Sequence, residues 1–350
     1  MTLSRPHTPT VFDEHIGELI DGLVLPGVCL TIVVLCAFAY TAWHPVSRPH
    51  LNRVSFRLLC FALVGNLLFG IVWFAAIKFS GPSAGCSFIS FADNFSIMFS
   101  GGIFFCMALN LELVLVHQIQ GQTMEKYYVL GTFILSALCN IVPYASGNLG
   151  NWDEFNQTCW FSTPDERTML KWLVGTQSFW VLLMSTGEVL VFLTIVGYLI
   201  SHEIITRRVR SRSTDTDSAY YPEDYTPPRS PIAMYRNTIL RIGLYPLVSC
   251  LINFSTCILD LYQVKTPILT ELDWRLNIAD LAIYSLRPLM YGVLAATDPV
   301  RYISGSSSCS HQNRLTVTPA GVPPRLTGIT ASGRDALRGA GFGLSSWDHG

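Results

Sequence analysis

Long apolar stretches without charge alternate along this chain with short segments that hold almost all of its ionisable residues. Leu23 to Trp43 runs 21 residues without a charge, and Leu58 to Ile77 runs 20. At about 1.5 Å of rise per residue, each is long enough for a hydrocarbon core of roughly 30 Å. Extending the pattern predicts seven spans, at about 21–43, 56–78, 86–117, 127–146, 172–202, 235–262 and 274–297. The seventh is the most polar, holding Asp280 and Arg287, and hydropathy alone ranks it last. It is retained because a helix packed among six others can bury polar groups inside the bundle. The predicted fold is an all-α membrane protein, a seven-transmembrane bundle over 21–303.

Composition agrees. Of 350 residues, 50% are hydrophobic and 13% charged, against about 25% charged in ordinary soluble domains. A net charge of −1 gives no footing for nucleic acid. The polar stretch ahead of the first run, with Asp13, Glu14 and Glu18, lacks the basic start and small-residue cleavage site of a signal peptide, so that run reads as a retained anchor.

Orientation follows from Lys and Arg in the connecting segments. With the N-terminus outside, the cytoplasmic segments hold 16 of them and the outer segments 6, with Arg287 inside the membrane. This predicts a short extracellular tail (1–20) and a cytoplasmic C-terminus. The third cytoplasmic loop (203–234) and the tail (304–350) are rich in Ser, Thr, Pro, Gly and Arg. Both are predicted to be disordered, because such segments bury too little apolar surface to fold.

Several residues carry candidate chemistry. Cys86 opens the third span and Cys159 lies in the second outer loop, both on the oxidising side, where a disulfide is favoured over two free thiols. Asn156 heads an Asn-Gln-Thr glycosylation signal in the same loop. Asp93 and Asn94 of the third span, Gln177 of the fifth, Asn253 of the sixth, and Asn277 and Asp280 of the seventh are candidates to line an outward-facing polar pocket. The alternative is helix-packing hydrogen bonds. Arg287 is costly in a membrane unless something faces it, and Asn66, alone in the second span at similar depth, is the expected partner; a static polar patch is the other reading. Pro288, next to it, removes a backbone hydrogen bond and permits a kink.

Glu112 near the inner end of the third span and Arg241 near that of the sixth are matched in depth. They are candidates for a resting-state ion pair, with Pro246 as a hinge above it; the alternative is two snorkelling charges that never meet. Ser213, Thr214, Thr226 and Ser230 in the arginine-rich inner loop are phosphorylation candidates, and Cys309 is a palmitoylation candidate.

Some activities are disfavoured. All eight histidines lie in loops, tails or helix ends, which argues against a zinc-dependent membrane enzyme, and no lysine follows Lys265 to hold a retinal. No metal site, cofactor or catalytic constellation is expected. A small-solute transporter using Asp93, Glu188 and Asp280 stands as the alternative to a signalling role.

Seven spans, an outer N-terminus, Cys86 with Cys159, and Arg287-Pro288-Leu289-Met290-Tyr291 closing the seventh span together resemble a G-protein-coupled receptor. The last stretch is similar to the Asn-Pro-x-x-Tyr element of the rhodopsin-like group, with arginine replacing asparagine. Leu109 to His117, Glu125-Lys126-Tyr127-Tyr128 and Leu244-Tyr245-Pro246 look closer to the fungal cyclic-AMP-receptor-like and glucose-receptor-like group. The resemblance covers about 20–303. It implies a plasma-membrane receptor that captures a small extracellular ligand, opens its cytoplasmic face through the sixth span and activates a heterotrimeric G protein through Gα, often upstream of adenylate cyclase. It makes Tyr291 a switch candidate beside Arg287 and Pro288. One departure stands out: where an Asp-Arg-Tyr element is expected, the third span has Leu111-Glu112-Leu113.

Overall fold

A computed structural model describes residues 16–44, 54–76, 78–79, 81, 83–117, 124–153, 158–161, 165–214, 243–265 and 271–297. The chain divides into two units, 1–301 and 302–350, and every described residue lies in the first.

The first unit is a bundle of seven helices long and apolar enough to cross a membrane. They are α1 (Ile16–Trp43), α2 (Val54–Ala76), α3 (Ala84–Leu115), α4 (Glu125–Ala145), a fifth span, α7 (Leu244–Lys265) and α8 (Glu271–Ala296). The fifth span is compound: α5 (Glu166–Leu173) passes through one π turn (Val174–Ser178) into α6 (Phe179–Thr214). Helix is what an apolar run must adopt in lipid, because it satisfies every backbone N–H and C=O within the segment. The protein is a multi-pass membrane protein.

Each predicted span has its helix, with some ends moved. The fifth span starts earlier than predicted, at Glu166, because Asp165 caps it: the Asp165 carboxylate accepts from the Thr168 amide. It also continues to Thr214, so residues 203–214, predicted as part of a disordered loop, are helical, while 215–234 lies outside the described residues. The third span is capped by Ser83, whose hydroxyl accepts from the Cys86 amide.

One element was not foreseen. Leu149–Asp153 (β1) and Thr158–Phe161 (β2) form an antiparallel hairpin at the Cys86 end of the bundle. Its register slips between Leu149 and Asn151, at Gly150, which has φ +104°. A Cβ there would fall 2.0 Å from the Ser87 hydroxyl, so only glycine allows the strand to lie against the start of the third span. Leu149 and Phe161 bury themselves with Leu173 of the fifth span.

Packing is closest around the seventh span. A Cβ on Gly27 would sit 2.6 Å from the Leu289 backbone nitrogen, and one on Gly70 would be 3.2 Å from the Pro288 ring. The first and second spans therefore close on the seventh at its internal proline, in the small-residue manner of membrane helices. Two larger cores fill the bundle. One, toward the end opposite the hairpin, centres on Phe104 stacked on Tyr291 at 4.5 Å. The other holds Phe69, Trp73 and Tyr284 in contact, with Trp73 stacked on Tyr284 at 5.6 Å.

Candidate functional site

A column of buried polar groups runs down the interface of the third, fifth, sixth and seventh spans. Its middle is Arg287, 2% exposed. The guanidinium donates to Asn253 Oδ1, and Asn253 Nδ2 donates to Ser185 Oγ at 3.0 Å and Ser249 Oγ at 3.1 Å. This single chain of bonds ties the seventh span to the sixth and the sixth to the fifth. Two aromatic faces enclose the cation, Phe69 at 5.7 Å and Tyr284 at 5.9 Å from ring centroids. Such contacts are worth up to about 2 kcal/mol when desolvated, which offsets part of the cost of a cation at membrane depth.

Four buried carboxyl groups line this column, three of them close to the cation. Asp93, Glu188 and Asp260 lie within electrostatic reach of it, and Asp280 faces Asp260. Glu188 is fully buried; the Ser249 hydroxyl faces it from the sixth span without closing a well-formed hydrogen bond. Nearer the hairpin end, Tyr284 donates to Asp260 Oδ2 at 2.8 Å and Gln263 donates to Asp280 Oδ2 at 3.3 Å. At the rim, Tyr262 donates to Asp273 at 2.7 Å.

Cys86 and Cys159 are bonded, with an S–S distance of 2.06 Å. The bond fastens β2 to the third span at the same end as Asp165. Thr168, bonded to Asp165 through its hydroxyl at 2.6 Å, holds that exposed carboxyl below the usual carboxylate range.

The six pocket candidates are all buried, none more than 8% exposed, but they do not form one layer. Asn253 belongs to the Arg287 layer. Asp280, seven residues earlier, stands about 10 Å nearer the hairpin. Asn94 donates to the Ser90 carbonyl of its own helix, as helix packing alone requires. The π turn lies where Gln177 and Ser178 are buried among the spans; Asp93 and Asn277 are likewise buried.

The expected Asn66–Arg287 pair does not form. Asn66 instead donates to Ser100 Oγ at 2.7 Å and to the Ala62 carbonyl, and its Oδ1 accepts no bond. The second span turns Asn66 toward the third, leaving Asn253 as the amide facing the arginine. Pro288 lies inside its helix as predicted. Pro246 lies in the first turn of the described sixth helix. Tyr291 is buried against Phe104.

Glu112 is half-buried, but Arg241 lies outside the described residues, and with it the proposed ion pair. The same holds for Asn156, Thr226, Ser230 and Cys309; Ser213 and Thr214 end the described helix, their side chains undescribed. Sequence reasoning passed over Asp260, Ser185, Ser249 and the Phe69–Tyr284 cage. The signal for the first was Asp260 and Gln263 three residues apart, facing Asp280 and Tyr284 four apart, polar pairs on single helix faces. Among the described residues no group of three or more His, Cys, Asp or Glu is placed to hold a metal ion.

Comparison with known proteins adds no family: no family model matches the chain, and no curated protein matches it.

Proposed function

We propose that this chain is a plasma-membrane receptor of the G-protein-coupled kind. It takes a small ligand at the hairpin end and passes the signal to a Gα subunit at the other, upstream of adenylate cyclase as in the fungal group it resembles. In this reading the hairpin end faces outside, as the Lys and Arg distribution requires.

One observation carries the reading. Arg287, Asn253 and Ser185 fasten together the seventh, sixth and fifth spans in mid-bundle, and a receptor must loosen these same helices to open its opposite face. A small two-state element of this kind, biased by a ligand on one side and a partner on the other, is what transmembrane coupling needs. The disulfide supports it by holding the hairpin across the ligand end.

The test is guanine-nucleotide exchange on purified Gα subunits by the chain in nanodiscs, against empty nanodiscs. Faster exchange with any Gα supports coupling; no acceleration across the Gα classes defeats it.

A specific observation also favours the second reading, a small-solute transporter. Asp93, Glu188, Asp260 and Asp280 are all buried in a bundle that holds one buried arginine among its described residues, an excess of intramembrane acids of the sort that carriers use. Uptake of labelled solute into vesicles, abolished by Asp280→Asn, would select this reading.

A further inference from the structure

We propose that Asp260 and Asp280 together bind one proton, held between their two carboxyl groups, and that this proton fastens the sixth span to the seventh.

The placement comes from two reciprocal hydrogen bonds. Gln263 of the sixth span donates across to Asp280 of the seventh, and Tyr284 of the seventh donates back to Asp260 of the sixth. Asp260 and Gln263 are three residues apart on one antiparallel helix, and Asp280 and Tyr284 four apart on the other, so the two crossings bracket the carboxyls and set them side by side. Asp260 is 2% exposed and Asp280 4%.

Each crossing uses one oxygen, Oδ2, of its acid. The other oxygen of each, Asp260 Oδ1 and Asp280 Oδ1, is buried and has no hydrogen-bond donor. Two bare acceptors on neighbouring acids, both buried away from water, are costly. A single proton removes both defects, because one acid becomes a donor and the other remains its acceptor. Two carboxylates in such contact do not both stay ionised. The step is proton uptake alone: two carboxylates and one proton give a carboxylic acid hydrogen-bonded to a carboxylate.

The neighbouring groups fit a proton better than a larger cation. From the seventh span Arg287 brings one positive charge to the singly charged pair, and the Tyr284 hydroxyl already donates. From the sixth come the Cys257 thiol and Gln263. From the third comes Asp93. Among the described residues neither Cys257, Asp93 nor any other His, Cys, Asp or Glu is placed to complete a metal site with the two carboxylates. Loss of the proton leaves like charges facing across the interface that Gln263 and Tyr284 bridge. The device is independent of the receptor reading and serves a receptor or a carrier equally.

Infrared difference spectroscopy on the full chain in nanodiscs tests it, since a protonated carboxyl absorbs apart from a carboxylate. The wild type should show a protonated-carboxyl component that disappears on alkaline titration. Asp260→Asn and Asp280→Asn, both near-isosteric, should each abolish that same component, and the double variant should remove no more than either single one. Asp93→Asn should leave it in place. Retention of the component in either properly folded single variant overturns the proposal. So does an additive loss in the double variant, which means two separate protons, or displacement of the component by sodium or potassium at constant pH, which means a metal cation.

Discussion

The Thr31 hydroxyl on the first span lies 3.3 Å from the Pro288 carbonyl on the seventh and donates at 2.8 Å to the Gly27 carbonyl one turn back on its own helix. The proline that weakens the seventh helix is thus gripped from outside it. Gly27 lets the two backbones meet, Thr31 binds the carbonyl, and Gly70 of the second span closes against the ring. The seventh helix is thus held at its proline, with Arg287 one residue before it and Tyr291 three after.

The grip predicts a contrast between two glycines of the first span. Gly27→Ala places a methyl against the Leu289 backbone, which cannot yield as a side-chain tip can, and should cost about 1–3 kcal/mol. Gly22→Ala meets nothing within 4 Å and should cost nothing. Thermal melting of both variants in one detergent measures the difference; equal midpoints would mean the spans do not meet at Gly27.

Removing the disulfide should have the same effect from either side. It closes a loop of 73 residues in sequence separation, for which loop entropy gives roughly 4 kcal/mol. Cys86→Ala and Cys159→Ala should reduce surface delivery equally, and the double variant should be no worse than either. Unequal singles or an additive double, read by surface labelling, would speak against the bond.

Asp165 should titrate below an ordinary aspartate because the Thr168 hydroxyl, first, and then its amide donate to the ionised form. The sign follows: a depressed carboxyl contributes stability that is present above its unfolded value and is lost as pH falls through the folded one. The first turn of the fifth span should therefore fray only in acid. Thr168→Val should raise the Asp165 titration toward the usual range, and Thr168→Ser should not, as followed by carboxyl chemical shift. A Thr168→Val titration identical to the wild type would remove this cap.

The number of spans was legible because the bilayer dictates length and forbids scattered charge, two constraints that any 20-residue window displays. The ends were less legible, since they depend on caps such as Asp165 that act through one side chain. The hairpin was hidden: Gly150 matters because of Ser87, more than sixty residues away in sequence, and nothing local announces that approach. The site was half legible. Arg287, Asp93, Glu188 and Asp280 stand out as charges in apolar runs, but their partners depend on how each helix is rotated. By depth Asn66 reads as the partner of Arg287 and Asn253 as a pocket residue, and only the packed bundle shows that Asn66 turns to Ser100 while Asn253 meets the arginine. Asp260 escaped notice because it lies just where the charge-free stretch of the sixth span ends.

In the proposed receptor the Arg287–Asn253 link is the fastening that a G-protein-coupled response must release. The direct measurement is basal guanine-nucleotide exchange on Gα, comparing wild type with Asn253→Ala and Asn253→Asp at equal surface delivery. Alanine removes the acceptor for Arg287 and the donor to Ser185, and should raise exchange several-fold; aspartate adds a charge facing the guanidinium and should lower it. Exchange unchanged in both folded variants, or moved in the opposite sense, would contradict that role for the link.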